Sequence, residues 1–165
     1  MALELPDGAR CFVDSTIFYY ALVPTASVSE HCLGFFDRAI ASRLTLLAGM
    51  AVLSDAVHKV MISEVAQLTG RDRAGMIGYL NQHPEIIARL TEYPQAMERL
   101  SVVPMEILPI DAPLLREATH IAVENRLLTN DAVIVALLQR HGLTDLVTND
   151  DDFDGLPGIR IWKPR

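Results

Sequence analysis

Short apolar runs alternate with stretches of helical periodicity along this chain, and that alternation points to an α/β fold, a parallel sheet with helices on both faces. Cys11-Phe12-Val13 ends in Asp14-Ser15 and reads as a buried strand whose carboxyl end delivers a polar group. Met105 to Ile110 reads as a strand near a sheet edge, because Pro109 removes a ladder donor. Leu143 to Thr148 is a further strand that empties into Asn149-Asp150-Asp151-Asp152-Phe153, and Ile159 to Trp162 is the last. Helices are predicted between them: Thr16 to Val23, stopped by Pro24; Ser27 to Ser42; Met50 to Leu68, ended by Gly70; Ala112 to Asn125; and Ala132 to Leu138, introduced by Asn130-Asp131 and followed by Gly142. From Arg71 to Leu100 the breaks His83-Pro84 and Tyr93-Pro94 imply two or three short helices. A sheet of about four or five strands is expected. In such sheets the functional crevice lies beyond the carboxyl ends of the strands, where Asp14 and Asp150 emerge.

At 165 residues the chain is read as one domain, 1–165, with a variable helical segment around 65–103. Half the residues are hydrophobic and 21% are charged, which excludes a disordered chain. Cys11 and Cys32 lack any zinc-ligand spacing and read as reduced packing residues. The acidic N-terminal stretch is unlike a signal peptide, and the longest mainly apolar run, Leu44 to Leu53, is too short to span a bilayer. No membrane association and a cytoplasmic location are expected. A formal charge of -7 disfavours an extended nucleic-acid track, and the two lysines, Lys59 and Lys163, and twelve arginines form no run.

Four carboxylates distant in sequence converge in this reading: Asp14 and Asp150 at strand ends, Asp131 at a helix start and Asp55 on an adjoining helix. Two carboxylates about 4 Å apart repel by roughly 4 kcal/mol at an effective dielectric of about 20, so such a group needs a cation or a shared proton. An all-oxygen set suits Mg²⁺ or Mn²⁺, and the chemistry that follows is phosphodiester hydrolysis. Each residue also has a structural reading. Asp14 fits a turn or helix cap, Asp131 is favoured by the helix dipole, and Asp150, Asp151, Asp152 and Asp154 fit a solvated loop. Asp55 is harder to dismiss, since Val52, Ala56 and Val60 make its helix largely apolar. His58 shares a helix face with Asp55 and reads first as a hydrogen-bonded structural histidine, with a carboxylate or substrate contact as the alternative. Lys59 reads as solvated, with a charge-balancing role as the alternative.

The motifs Phe12-Val13-Asp14-Ser15, Val52-Leu53-Ser54-Asp55-Ala56-Val57-His58-Lys59, Asn130-Asp131-Ala132-Val133-Ile134-Val135-Ala136 and Leu146-Val147-Thr148-Asn149-Asp150-Asp151-Asp152-Phe153 together resemble the PIN-domain family, and within it the VapC-like toxins of toxin-antitoxin pairs. The resemblance covers most of the chain and implies a single PIN-like domain. It carries the catalytic acids onto Asp14, Asp55, Asp131 and Asp150, the metal ligands onto Asp14, Asp131, Asp150 and Asp152, and accessory positions onto Ser15 and Thr148, beside His58. It further implies Mg²⁺ or Mn²⁺, an RNA substrate, a homodimer and a cognate antitoxin. Three features depart from the pattern. Asp55 stands where Glu is frequent, Thr16 where many members have Asn, and the 65–103 segment is longer and richer in proline breaks than in a minimal toxin.

Three functions are therefore weighed: a metal-dependent endoribonuclease, a non-catalytic PIN-fold module that binds RNA or protein, and a receiver-like signalling domain. The last needs an acidic pair after its first strand and a lysine after a late strand. Here Ser15 follows Asp14, and Asn149 follows Thr148.

Overall fold

The computed structural model describes residues 3–23 and 26–164. Pro24, the expected stop of the first helix, lies outside them.

Five strands form one sheet in the order β3-β2-β1-β4-β5: β1 (Arg10–Val13), β2 (Thr45–Gly49), β3 (Met105–Leu108), β4 (Asp145–Val147) and β5 (Arg160–Trp162). Every pairing is parallel, with Phe12 beside both Leu47 and Leu146. The central strands are buried on both faces, so their sequences are unbroken apolar runs and not alternating ones. β3 lies at an edge, as Pro109 requires.

The sequence reading missed β2. The apolar run Leu44 to Leu53 is two elements in succession: Thr45–Gly49 is strand, and α3 (Met50–Thr69) begins at the next residue. No turn residue other than Gly49 separates them, and a short apolar run gives no periodicity by which to divide it. Gly49 is also a place of close approach, because a Cβ there would lie 3.3 Å from Leu137 Cδ1.

The other helices are α1 (Ser15–Leu22), α2 (Ala26–Ile40), α4 (Met76–Gln82), α5 (Glu92–Ser101), α6 (Ala112–Asn125) and α7 (Thr129–Arg140). A 3₁₀ turn, Pro84–Arg89, follows α4. The break expected at Tyr93-Pro94 does not occur. Pro94 lies in the first turn of α5, where a proline forfeits no intrahelical hydrogen bond.

From β1 the chain steps to β2 and β3 at one edge, then returns past both to β4 on the other side of β1. Right-handed crossovers place α1 to α5 on one face and α6 and α7 on the other. The helix contacts agree: α3 packs on α1, α4 and α5, α1 packs on α2, and α6 packs on α7. The direction of travel reverses between β1 and β4, which makes that point the switch crevice of an open parallel sheet.

One large core surrounds the sheet, and a smaller one gathers Val65, Met76, Leu80, Ile86 and Leu90 beneath the 65–103 segment. Cys11 and Cys32 are buried free thiols, and burial pushes each up to about 12, which suits packing residues. Among the described residues no helix is long and apolar enough to cross a membrane.

Candidate functional site

Asp14 follows the last residue of β1 and caps α1, which meets its structural reading. It is 5% exposed, which demands hydrogen-bond partners for its charge. Oδ2 accepts from Thr148 Oγ1 at 2.9 Å, Thr16 Oγ1 at 2.8 Å and Thr16 N at 3.3 Å, and Oδ1 accepts from Ser15 Oγ at 3.2 Å. Thr148 and Thr16 also tie down the loop that follows β4. Thr148 Oγ1 accepts from Asp150 N at 3.0 Å, and Thr16 Oγ1 accepts from Asn149 N at 3.1 Å. These two hydroxyls connect the ends of adjacent strands across the switch point.

The loop then divides its acids. Asp150 caps a 3₁₀ turn, Asp151–Phe153, by accepting from Asp152 N at 3.0 Å. Residues three apart eclipse in a 3₁₀ turn, so Asp151 and Asp154 share one side, where both bind Lys163. Asp150 and Asp152 line the crevice instead.

That crevice, of about 440 Å³, is lined on its polar side by Asp14, Ser15, Asp55, Lys59, Asp131, Asp150 and Asp152. An apolar side is formed by residues including Val52, Ile110, Leu115, Leu128 and Val133. All four sequence-predicted catalytic acids and the fourth predicted metal ligand, Asp152, therefore face one space. Ser15 and Thr148 support it. His58 is elsewhere: it lines a separate hollow with Met50, Ser54, Val57, Tyr93 and Met97. On a helix the residue at i+3 lies about 60° to one side of position i and the residue at i+4 about 40° to the other. For Asp55 the crevice takes the i+4 side, and so takes Lys59.

Lys59 is not the solvated side chain expected from sequence. Its ammonium donates to Asp55 Oδ2 at 2.6 Å and to Ser15 Oγ at 2.7 Å. Burial alone would push the Asp55 carboxyl up, but the hydrogen bond from Lys59, the nearby Ser15 hydroxyl and the charges of Lys59 and His58 outweigh it and hold its pKa below the ordinary value. Asp131 is the reverse case. Burial first, and then the charges of Asp150, Asp14 and Asp152, push it up to about 6, with the Lys59 charge opposing. Thr16, Lys59 and Asn149 were not named as site residues from the sequence. The i, i+4 spacing of Asp55 and Lys59 was the available signal for the lysine.

Among the described residues no group of three or more His, Cys, Asp and Glu side chains is gathered closely enough to hold a metal ion as it stands. The fit to a divalent ion rests on the donors themselves: hard carboxylate oxygens whose mutual repulsion raises Asp131 and which added positive charge would relieve.

The PIN domain family model matches residues 11–159. The chain belongs to the PIN domain family. It is a single PIN domain, and its fold is that of solved toxin-antitoxin proteins. A toxin-antitoxin complex from Klebsiella pneumoniae has a chain 18% identical, with a TM-score of 0.56 over 94% of this chain and 98% of that one. VapBC2 of Rickettsia felis, solved on a DNA fragment from its promoter, matches at 15% identity and a TM-score of 0.57, covering 93% of this chain and 98% of that one. VapC20 of Mycobacterium tuberculosis, a toxin that cleaves the Sarcin-Ricin loop, matches at 18% identity and 0.55, covering 89% and 95%. No curated protein matches the chain by sequence. At these identities the likeness establishes the fold, and this PIN domain's activity is argued from its crevice.

Proposed function

We propose that this PIN domain is an endoribonuclease of the VapC-like toxin kind, which hydrolyses RNA phosphodiester bonds with Mg²⁺ or Mn²⁺. The observation that carries the reading is the crevice at the switch point, where Asp14, Asp131, Asp150 and Asp152 are close enough for three of them to raise the pKa of the fourth. Acids brought together without compensating donors destabilise a fold, so their convergence calls for a ligand that carries positive charge.

Asp14, Asp131, Asp150 and Asp152 are the residues that would hold the ion. When bound, a divalent ion supplies charge that offsets the phosphodiester and eases ionisation of the attacking water. The chain's own residues do the rest. Asp14 is fixed by Ser15, Thr16 and Thr148, so its carboxylate is oriented before substrate arrives. Asp150 is held in register with it through Thr148, whose hydroxyl serves both. The apolar side, including the exposed Leu128, offers a surface on which a base can rest while its phosphate lies over the acids.

Purified protein should cleave members of a broad RNA panel with Mn²⁺ and none with EDTA. Asp14→Asn and Asp131→Asn should fold, by circular dichroism, and lose about a thousandfold in rate. The reading fails if no RNA is cut or if either variant cuts as fast as the parent chain. We further propose a cognate antitoxin, since the similar structures include toxin-antitoxin complexes, and a homodimeric state, which the motif resemblance implies. Co-purification with the product of a short neighbouring reading frame, with loss of cleavage, tests the first. Light scattering tests the second.

A further inference from the structure

We infer that Lys59 is the side chain that meets the scissile phosphate, and that Asp55 serves to aim it and does not hold metal. This inference rests on the ribonuclease reading and assigns parts within it.

A phosphodiester is an anion, and the crevice it must enter is lined by five aspartates. One dication carries less charge than the four carboxylates that would hold it, so the substrate's charge is offset only in part by the metal. Among the residues lining the crevice, Lys59 is the one lysine or arginine. The second lysine of the chain is committed to Asp151 and Asp154 outside the crevice.

The geometry of Lys59 is that of a fixed group. An exposed i, i+4 ion pair hardly restrains a lysine, because the pairing energy is spent on ordering two side chains. Here a second acceptor from a different element, the 4%-exposed Ser15, holds the same ammonium. Ser15 in turn donates to Asp14, so the cation is connected by hydrogen bonds to the most firmly held acid of the site. An ammonium carries three hydrogens, and two are used. The third is left for an acceptor in the crevice.

The same contacts exclude Asp55 from the ligand set. Its Oδ2 is taken by the ammonium at 2.6 Å, so a dication bound through the remaining oxygen would stand across one carboxylate from a like charge. Asp131 has the opposite surroundings: Asp14, Asp150 and Asp152 line the same crevice beside it. The two acids are thus divided between cations: Asp131 faces the one that must be recruited, and Asp55 keeps the one the chain supplies.

The test measures Mn²⁺ binding by calorimetry and RNA cleavage as kcat and KM against salt, on the parent chain, Asp55→Asn, Lys59→Met, Lys59→Arg and Asp131→Asn, each checked for folding by circular dichroism. Asp55→Asn should keep Mn²⁺ affinity within about threefold, Lys59→Met should keep or tighten it, and Asp131→Asn should weaken it at least about tenfold. Lys59→Met should lower kcat/KM by about a hundredfold and flatten the salt dependence by about one phosphate contact, roughly 0.7 in log–log slope, with Lys59→Arg recovering part of both. The inference is overturned if Asp55→Asn weakens Mn²⁺ as much as Asp131→Asn does, or if Lys59→Met cleaves with unchanged kcat/KM and salt slope. A parent chain that binds Mn²⁺ but cuts no RNA overturns the ribonuclease reading itself and this inference with it. An active parent chain with the wrong pattern among the variants overturns this inference alone.

Discussion

Glu64 and Asp131 are both acids on helices at the edge of the main core, and their surroundings could hardly differ more. Glu64, on α3, accepts from the backbone N–H groups of Thr91, Glu92 and Tyr93 at 2.6, 3.0 and 2.8 Å and from the Thr91 hydroxyl at 3.2 Å. Thr91 provides no side-chain cap for α5, so a carboxylate from another helix does the capping. Burial pushes Glu64 up, yet those four donors bring its pKa below the ordinary value. Asp131 looks onto Asp150, Asp14 and Asp152 and rises to about 6. A charge buried for structure is surrounded by donors. One buried beside its own kind stores repulsion that something outside the chain must relieve, and that difference separates the 65–103 segment from the crevice.

The widest gap between the two should appear in activity. Asp131→Asn removes the charge of one proposed metal ligand and is expected to lower the RNA cleavage rate about a thousandfold, roughly 4 kcal/mol of transition-state stabilisation. Glu64→Gln should leave the rate per folded molecule within about twofold. Equal losses in the two variants would show that the crevice acts through stability alone.

Stability should reverse the ranking. Glu64→Gln removes a charge from several hydrogen bonds, so unfolding free energy should drop by about 2 kcal/mol and Tm by about 4–8 °C. The sign with pH follows from its lowered pKa. The unfolded chain holds Glu64 near 4.5 and the folded chain below it, so the contribution is complete above about 4.5 and is lost as pH falls through the folded value. The difference in Tm between parent and Glu64→Gln should therefore close in acid. A constant difference down to about pH 3 would remove Glu64 from this role.

For Asp131 the substitution should stabilise. Its raised pKa means that the charged form opposes folding at neutral pH, so Asp131→Asn should raise the Tm of metal-free protein by about 2–4 °C, on the order of 1 kcal/mol once solvent screening of this partly buried group is allowed for. Mn²⁺ should reverse the order of the two proteins, because it stabilises only the chain that binds it well. A metal-free Asp131→Asn protein that melts lower than its parent would contradict stored repulsion at this site.

Most of this contrast was readable in advance on one side only. Asp14, Asp131 and Asp150 were legible because each sits where an apolar run or a helical period starts or stops, and the sheet brings such points together. β2 was not, because Leu44 to Leu53 carries no punctuation between strand and helix except Gly49. The Glu64 cap was illegible for another reason: its partners are 27 to 29 residues away, and backbone N–H groups leave no mark in a sequence. Lys59 lay between these cases. Its spacing from Asp55 was visible, but its second acceptor, Ser15, is 44 residues distant and appears only when α1 packs on α3.

The smallest expected effect concerns the other lysine. Lys163 bridges Asp151 and Asp154 on the outer side of the loop that carries Asp150 and Asp152 inward. By number of bonds it matches Lys59, but its two partners are 89% and 54% exposed, so water competes for every charge and the pairing contributes little. Lys163→Met should lower stability by less than about 0.5 kcal/mol and leave Mn²⁺ affinity and RNA cleavage unchanged within about twofold. The position of the loop is set from the other side, by the hydroxyls of Thr148 and Thr16, and these remain in that variant. A large loss of Mn²⁺ affinity in Lys163→Met would mean that the outer lysine, and not the buried threonine, keeps Asp150 and Asp152 turned toward the crevice.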